Sequence, residues 1–207
     1  MTAAILLQGA APAAGFGDPV HDSQAVFRSV LRAMSRPGEV QELTAPIMPP
    51  APLLPAAAAV CLALLDLETR LWIDGGSRDV SQARDFLAFH TGAPTASTAA
   101  DADFVVVADG AMVPRLDTFR QGSDEAPEKS ATLIVQVTDL DDMPVDGVWR
   151  LSGPGVDGTA GLHIEGLRGG LVEELADNRG RFPRGVDLIL CAETRLACLP
   201  RTTKVEA

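Results

Sequence analysis

The sequence of 207 residues predicts an α/β domain with a mixed β-sheet flanked by helices. Helical patterns alternate with short apolar runs in the first half, whereas neighbouring strands dominate the second half, which argues against a uniformly parallel sheet. Apolar residues make up 46% of the chain, enough for a sizeable core and too many for a disordered protein. Because no internal repeat or long linker divides the sequence, residues 1–207 are interpreted as one domain.

Three helices are predicted in the first half of the chain, over residues 21–38, 56–67 and 81–92. Either Asp22 or Ser23 suits the N-cap of the first helix, and the pair Pro37 and Gly38 ends it. The second helix is almost entirely apolar, so it is expected to be covered on most sides. His90 lies on the apolar face of the third helix, where a histidine is usually packed or bonded to a carbonyl.

Short apolar runs predict seven strands, over residues 71–73, 104–107, 132–138, 148–151, 162–164, 186–191 and 196–199. The last two form a hairpin with its turn at residues 193–194. Residues 113–120 are expected to be helical, and Leu167, Leu171 and Leu175 define a further helix.

Charge and patterning restrict the partners and the location of the protein. The 17 Lys and Arg residues against 28 Asp and Glu give a net charge of −11, which repels polyanions and argues against nucleic-acid binding.

The N-terminus has no basic residue before Arg28, so a signal peptide is not expected. Leu43–Leu65 carries no charge, but five prolines interrupt it, so it is not a membrane span. Three cysteines without paired spacing indicate buried thiols, and we expect a cytoplasmic protein.

The sequence carries no recognisable catalytic or metal-binding motif. Its cysteines and histidines lack the spacing of metal ligands, and neither a nucleophile elbow nor a phosphate-binding loop is present. Only two lysines occur, Lys129 in an acidic loop and Lys204 near the C-terminus, and neither suits a Schiff base. We therefore expect no cofactor, no metal and no catalytic residue.

One basic segment stands out in this acidic chain. Residues 179–204 hold six cations against two carboxylates, a local net charge of +4. Arg184 precedes the predicted hairpin and Arg201 follows it, so the two are expected to meet at one end. Arginine forks suit phosphate or carboxylate partners, which makes Arg184, Arg201 and Lys204 candidate ligand-binding residues. The alternatives are salt bridges to acidic neighbours or a subunit interface.

Six segments of recognisable sequence are spread over the chain, at residues 21–38 (HDSQAVFRSVLRAMSRPG), 86–94 (FLAFHTGAP), 127–137 (PEKSATLIVQV), 151–156 (LSGPGV), 182–190 (FPRGVDLIL) and 199–206 (LPRTTKVE). In this order they resemble the PhnH family, the H subunit of the bacterial carbon–phosphorus lyase system for phosphonate breakdown. None of these segments is a catalytic signature.

The resemblance implies a fold similar to that of pyridoxal-phosphate-dependent transferases, without the cofactor. It also implies a homodimer when isolated and a core complex with the G, I and J subunits. In that scheme the G, I and L proteins act with H to join a phosphonate to the ribose C1 of ATP. Adenine leaves, giving α-D-ribose 1-methylphosphonate 5-triphosphate, and the J subunit later breaks the carbon–phosphorus bond.

Two functional hypotheses follow from the sequence. The first is a non-catalytic structural subunit of the phosphonate-processing complex. The alternative is a phosphate- or nucleotide-binding component of the same pathway that uses Arg184, Arg201 and Lys204. A degenerate pyridoxal-phosphate enzyme is a third, weaker hypothesis.

Overall fold

The computed structural model describes residues 13–45, 47–142 and 148–207, and these form three layers. The α-helices of the described residues are α1 (Pro19–Ser35), α2 (Pro55–Leu64), α3 (Ser81–Thr91) and α4 (Leu171–Gly180). The strands are β1 (Gln41–Glu42), β2 (Leu71–Asp74), β3 (Phe104–Val107), β4 (Thr132–Gln136), β5 (Asp139–Asp141), β6 (Trp149–Ser152), β7 (Ala160–Glu165), β8 (Asp187–Ala192), β9 (Arg195–Leu199) and β10 (Lys204–Glu206).

The central layer is a six-stranded sheet with the order β1-β9-β8-β4-β3-β2. Strands β2, β3, β4 and β8 run parallel, whereas β9 is antiparallel to β8 and β1 is antiparallel to β9. The predicted mixed sheet and the predicted C-terminal hairpin are therefore confirmed. The apolar run of β3 is buried on both faces of the sheet, as its continuous Val105–Val107 pattern indicates.

Helices α1, α2 and α3 cover one face of this sheet. Val26, Val30 and Phe86 of α1 and α3 join the same apolar cluster as Val106 and Ile134 of the strands. Residues 56–61 of α2 are all buried, and their mostly small side chains let this helix lie close to both the sheet and its neighbours. The nearly all-apolar pattern of α2 is thus explained by cover on most sides.

A second sheet covers the opposite face, and the sequence did not predict it as a separate layer. Strands β10, β6, β7 and β5 form an antiparallel sheet in that order. Leu140, Leu151 and Leu162 of this sheet pack with Leu133 and Leu188 of the central sheet. Strands 148–151 and 162–164 therefore belong to a distinct layer that shares the second face with α4, and they do not extend the mixed sheet.

Several element ends differ from the sequence prediction. Helix α1 begins at Pro19, because Asp18 and not Asp22 or Ser23 is the N-cap; its Oδ1 accepts from the backbone N–H groups of Val20 and His21 at 3.2 and 3.1 Å. Helix α2 ends at Leu64, not Leu67. The expected helix 113–120 is wrong: this region has separate 3₁₀ turns at Gly110–Met112 and Leu116–Thr118. Pro114 lies between them and has no N–H to continue a helix.

Two expectations concern the start of the chain and membranes. The expectation of no signal peptide depends on the N-terminal stretch, and most of that stretch lies outside the described residues. Among the helices of the described ranges, none has both the length and the apolar character that a membrane crossing requires.

Candidate functional site

The basic segment, residues 179–204, extends from the end of α4 through the β8–β9 hairpin to the start of β10. Each of its six cations has a polar partner within the chain. These pairs are Arg179 with the Thr202 carbonyl, Arg181 with Gln121, Arg184 with Asp124, Arg195 with Asp139, Arg201 with Asp187, and Lys204 with Glu206. The segment is thus bound to the protein's own acidic and carbonyl groups.

The side chain of Arg201 is largely buried, with only 13% of its surface exposed. Its Nε donates to Oδ1 of Asp187 at 3.1 Å, and Nη2 donates to Asp187 Oδ2 and to the Ser130 hydroxyl. Nη1 donates to the carbonyls of Pro127 and Pro183, both at 3.1 Å. The planar fork therefore ties together three loops that are distant in sequence.

The ends of the hairpin do meet, but Arg184 does not join Arg201. The contact between the two ends is made by the Pro183 carbonyl with the Arg201 guanidinium. The Arg184 side chain is half exposed and reaches Asp124 instead, with Nε 3.2 Å from Oδ1. The hairpin geometry thus places the two residues near one end of the sheet while their guanidinium groups contact different acids.

Lys204 lies on the second sheet, in the short strand β10. Its Nζ is 2.6 Å from Oε1 of Glu206, and both side chains are about half exposed. Because residues two apart in a strand point to the same face, this pair lies on the solvent side of the sheet. Lys204 therefore does not share a site with Arg201 within the chain.

A cavity of about 320 Å³ lies beside the Arg201 fork. Pro127, Pro183, Pro200 and the exposed ring of Phe182 supply much of its lining. Because the charged groups of Arg201 and Asp187 bind each other, the cavity presents mainly apolar surface. Apolar surface of this kind suits another protein's side chain better than it suits a phosphate.

Sequence analysis missed the role of Gln136 at the end of β4. This buried side chain accepts from the Leu54 N–H at 2.6 Å and donates to the carbonyls of Pro52 and Ala108 at 2.9 and 3.1 Å. Ligands of α/β proteins usually bind at the carboxyl ends of parallel strands. At β4 that position is taken by the protein's own loop, residues 52–54.

A second missed cluster joins α4 to the segment before it. Arg168 donates to Glu174 at 2.8 Å and to the Val113 carbonyl at 2.7 Å, while Glu174 also accepts from the Leu116 N–H. In the sequence, Arg168 and Glu174 are six residues apart and two glycines lie between them, so their spacing does not indicate a pair on one helix face. These groups bind one another and hold α4 against the 3₁₀ turns.

His90 contacts a backbone carbonyl, and the three cysteines lie in the core. His90 lies 2.9 Å through Nε2 from the Ala13 carbonyl, as expected for a carbonyl-bonded histidine. No group of three or more potential metal ligands occurs in residues 13–45, 47–142 and 148–207. The three cysteines are free and buried, which confirms their interpretation as small core residues.

We expect the three thiols to be unreactive in the native protein. Burial raises the pKa of the Cys61 thiol to about 12, and it raises the thiol pKa of Cys191 and Cys198 as well. At pH 8 a thiol-specific reagent should therefore modify no cysteine of the folded protein and all three after unfolding in guanidinium. Rapid modification of even one thiol without denaturant would contradict the packing described for α2, β8 and β9.

Taken together, fold and site define a class of protein: an α/β chain with an added antiparallel sheet, in which the cations of the basic segment contact the chain's own acidic and carbonyl groups. The sequence family described as "Bacterial phosphonate metabolism protein (PhnH)" matches residues 14–206, nearly the whole chain. The chain belongs to this PhnH family.

Two curated relatives support this membership. The "Alpha-D-ribose 1-methylphosphonate 5-triphosphate synthase subunit PhnH" of Rhizobium meliloti (strain 1021) is 40% identical over 192 residues, covering 92% of this chain and 94% of the relative. The "Putative C-P lyase subunit protein HtxG" of Stutzerimonas stutzeri is 36% identical over 109 residues, covering 53% of this chain and 54% of that protein.

Proposed function

We propose that the chain is a non-catalytic structural subunit of a carbon–phosphorus lyase core complex. In this role it supports the formation of α-D-ribose 1-methylphosphonate 5-triphosphate from ATP and methylphosphonate. The observation that carries the proposal is the pairing of all six cations of the basic segment within the chain, in a member of the PhnH family. Cations that already hold loops and neighbouring carboxylates suit a scaffold better than a phosphate site.

The proposal includes the partners and the location of the protein. We assign it homologues of the G, I and J subunits as partners, a homodimer as its isolated state, and the cytoplasm as its compartment. We also assign it the fold of pyridoxal-phosphate-dependent transferases without the cofactor. The loop at residues 52–54, held by Gln136 at the carboxyl end of β4, supports that view, since it occupies a position where a ligand would otherwise approach.

Co-purification tests the assembly. The affinity-tagged chain, expressed together with homologues of the G, I and J subunits, should elute with all three in one complex. Omission of the chain should leave a smaller complex and lower the yield of the triphosphate product. If the tagged chain elutes alone from cells that contain the other three subunits, the structural role is wrong.

A second candidate function rests on the exposure of Arg184 and Lys204. Both side chains are about half exposed, so each can exchange its carboxylate partner for a phosphate. For this phosphate- or nucleotide-binding function, calorimetric titration with ATP or methylphosphonate should release heat, and Arg184→Ala should abolish it. We expect the structural role instead, with no heat and an unchanged activity of the complex containing Arg184→Ala.

A further inference from the structure

We draw no further inference here: the strongest candidate, the apolar cavity of about 320 Å³ that Phe182 and three prolines line beside the Arg201 fork, carries no proposal because acidic and basic side chains both border it and nothing in the structure shows what covers it.

Discussion

Arg201→Ala is expected to lower the free energy of unfolding by about 3–5 kcal/mol, measured by urea denaturation. The substitution removes the fork that binds Asp187, Ser130 and the carbonyls of Pro127 and Pro183, and it leaves the Asp187 carboxylate without its counter-ion. Removing one partner of a largely buried ion pair costs more than the pair contributes, because the remaining charge stays poorly solvated. Arg201→Lys should fall between the wild type and Arg201→Ala, since an ammonium group cannot reproduce the two parallel contacts to one carboxylate.

Arg184→Ala provides the matched control for this prediction. It removes the same kind of side chain from the same end of the hairpin, but its ion pair with Asp124 is exposed, so its unfolding free energy should change by no more than about 1 kcal/mol. Trypsin should also cleave Arg201→Ala faster than the wild type after Lys129 and Arg184, because the loops that carry them lose their common anchor. Equal stability of the two alanine variants would show that Arg201 is not the anchor.

The hairpin that positions Arg201 could be predicted from the sequence, and so could its partner. Two apolar runs, at residues 186–191 and 196–199, flank a short polar turn, and the structure pairs Leu188 with Leu199. The same register places Asp187 opposite Pro200, next to Arg201. The sequence predicts that Arg184 and Arg201 converge at one end of the hairpin. Extending the hairpin pairing by one residue beyond Leu188 and Leu199 also places Asp187 beside Arg201 and identifies it as the acid that binds this arginine.

The second sheet could not be predicted by the same reasoning. Alternating apolar residues in β6 and β7 indicate strands with one buried face, but the pattern is the same for any sheet with one solvated side. Whether such strands extend the central sheet or form another layer depends on long-range pairing, here of β10 with β6 and of β5 with β7. Lys204, which the sequence shows only to be near the C-terminus, acquires its position on the second sheet through this pairing.

The burial of Gln136 and the partners of its side chain could not be predicted from the sequence. In the sequence it falls on the face shared with Thr132 and Thr138, where solvent exposure is the ordinary expectation. The partners that make its burial favourable, Pro52 and Leu54, lie more than eighty residues earlier in a proline-rich stretch without a regular pattern. Local periodicity carries no information about such a contact.

Gln136→Leu is therefore expected to be strongly destabilising although leucine has a similar size and suits a buried strand. The change leaves the Leu54 N–H and the Pro52 carbonyl without the amide that binds them, whereas the Ala108 carbonyl keeps the Arg78 guanidinium as a donor at 2.9 Å. Each of these two unsatisfied groups costs about 1–3 kcal/mol, so the free energy of unfolding should fall by about 2 kcal/mol or more in urea denaturation. We also expect faster proteolysis in the loop before α2, since Gln136 holds residues 52–54 against the sheet.

Thr203→Val is the control that separates the loss of hydrogen bonds from the loss of polarity. The Thr203 hydroxyl is also buried, but within the part of the chain that the structure describes it has no hydrogen-bond partner. Replacing it with a methyl group of the same shape removes an unsatisfied group, so stability should stay the same or rise by about 1 kcal/mol. If Gln136→Leu is tolerated as well as Thr203→Val, then the loop at residues 52–54 is not held by the amide. The carboxyl end of β4 would in that case be free to open to a ligand, and the argument for a non-catalytic scaffold would lose one of its supports.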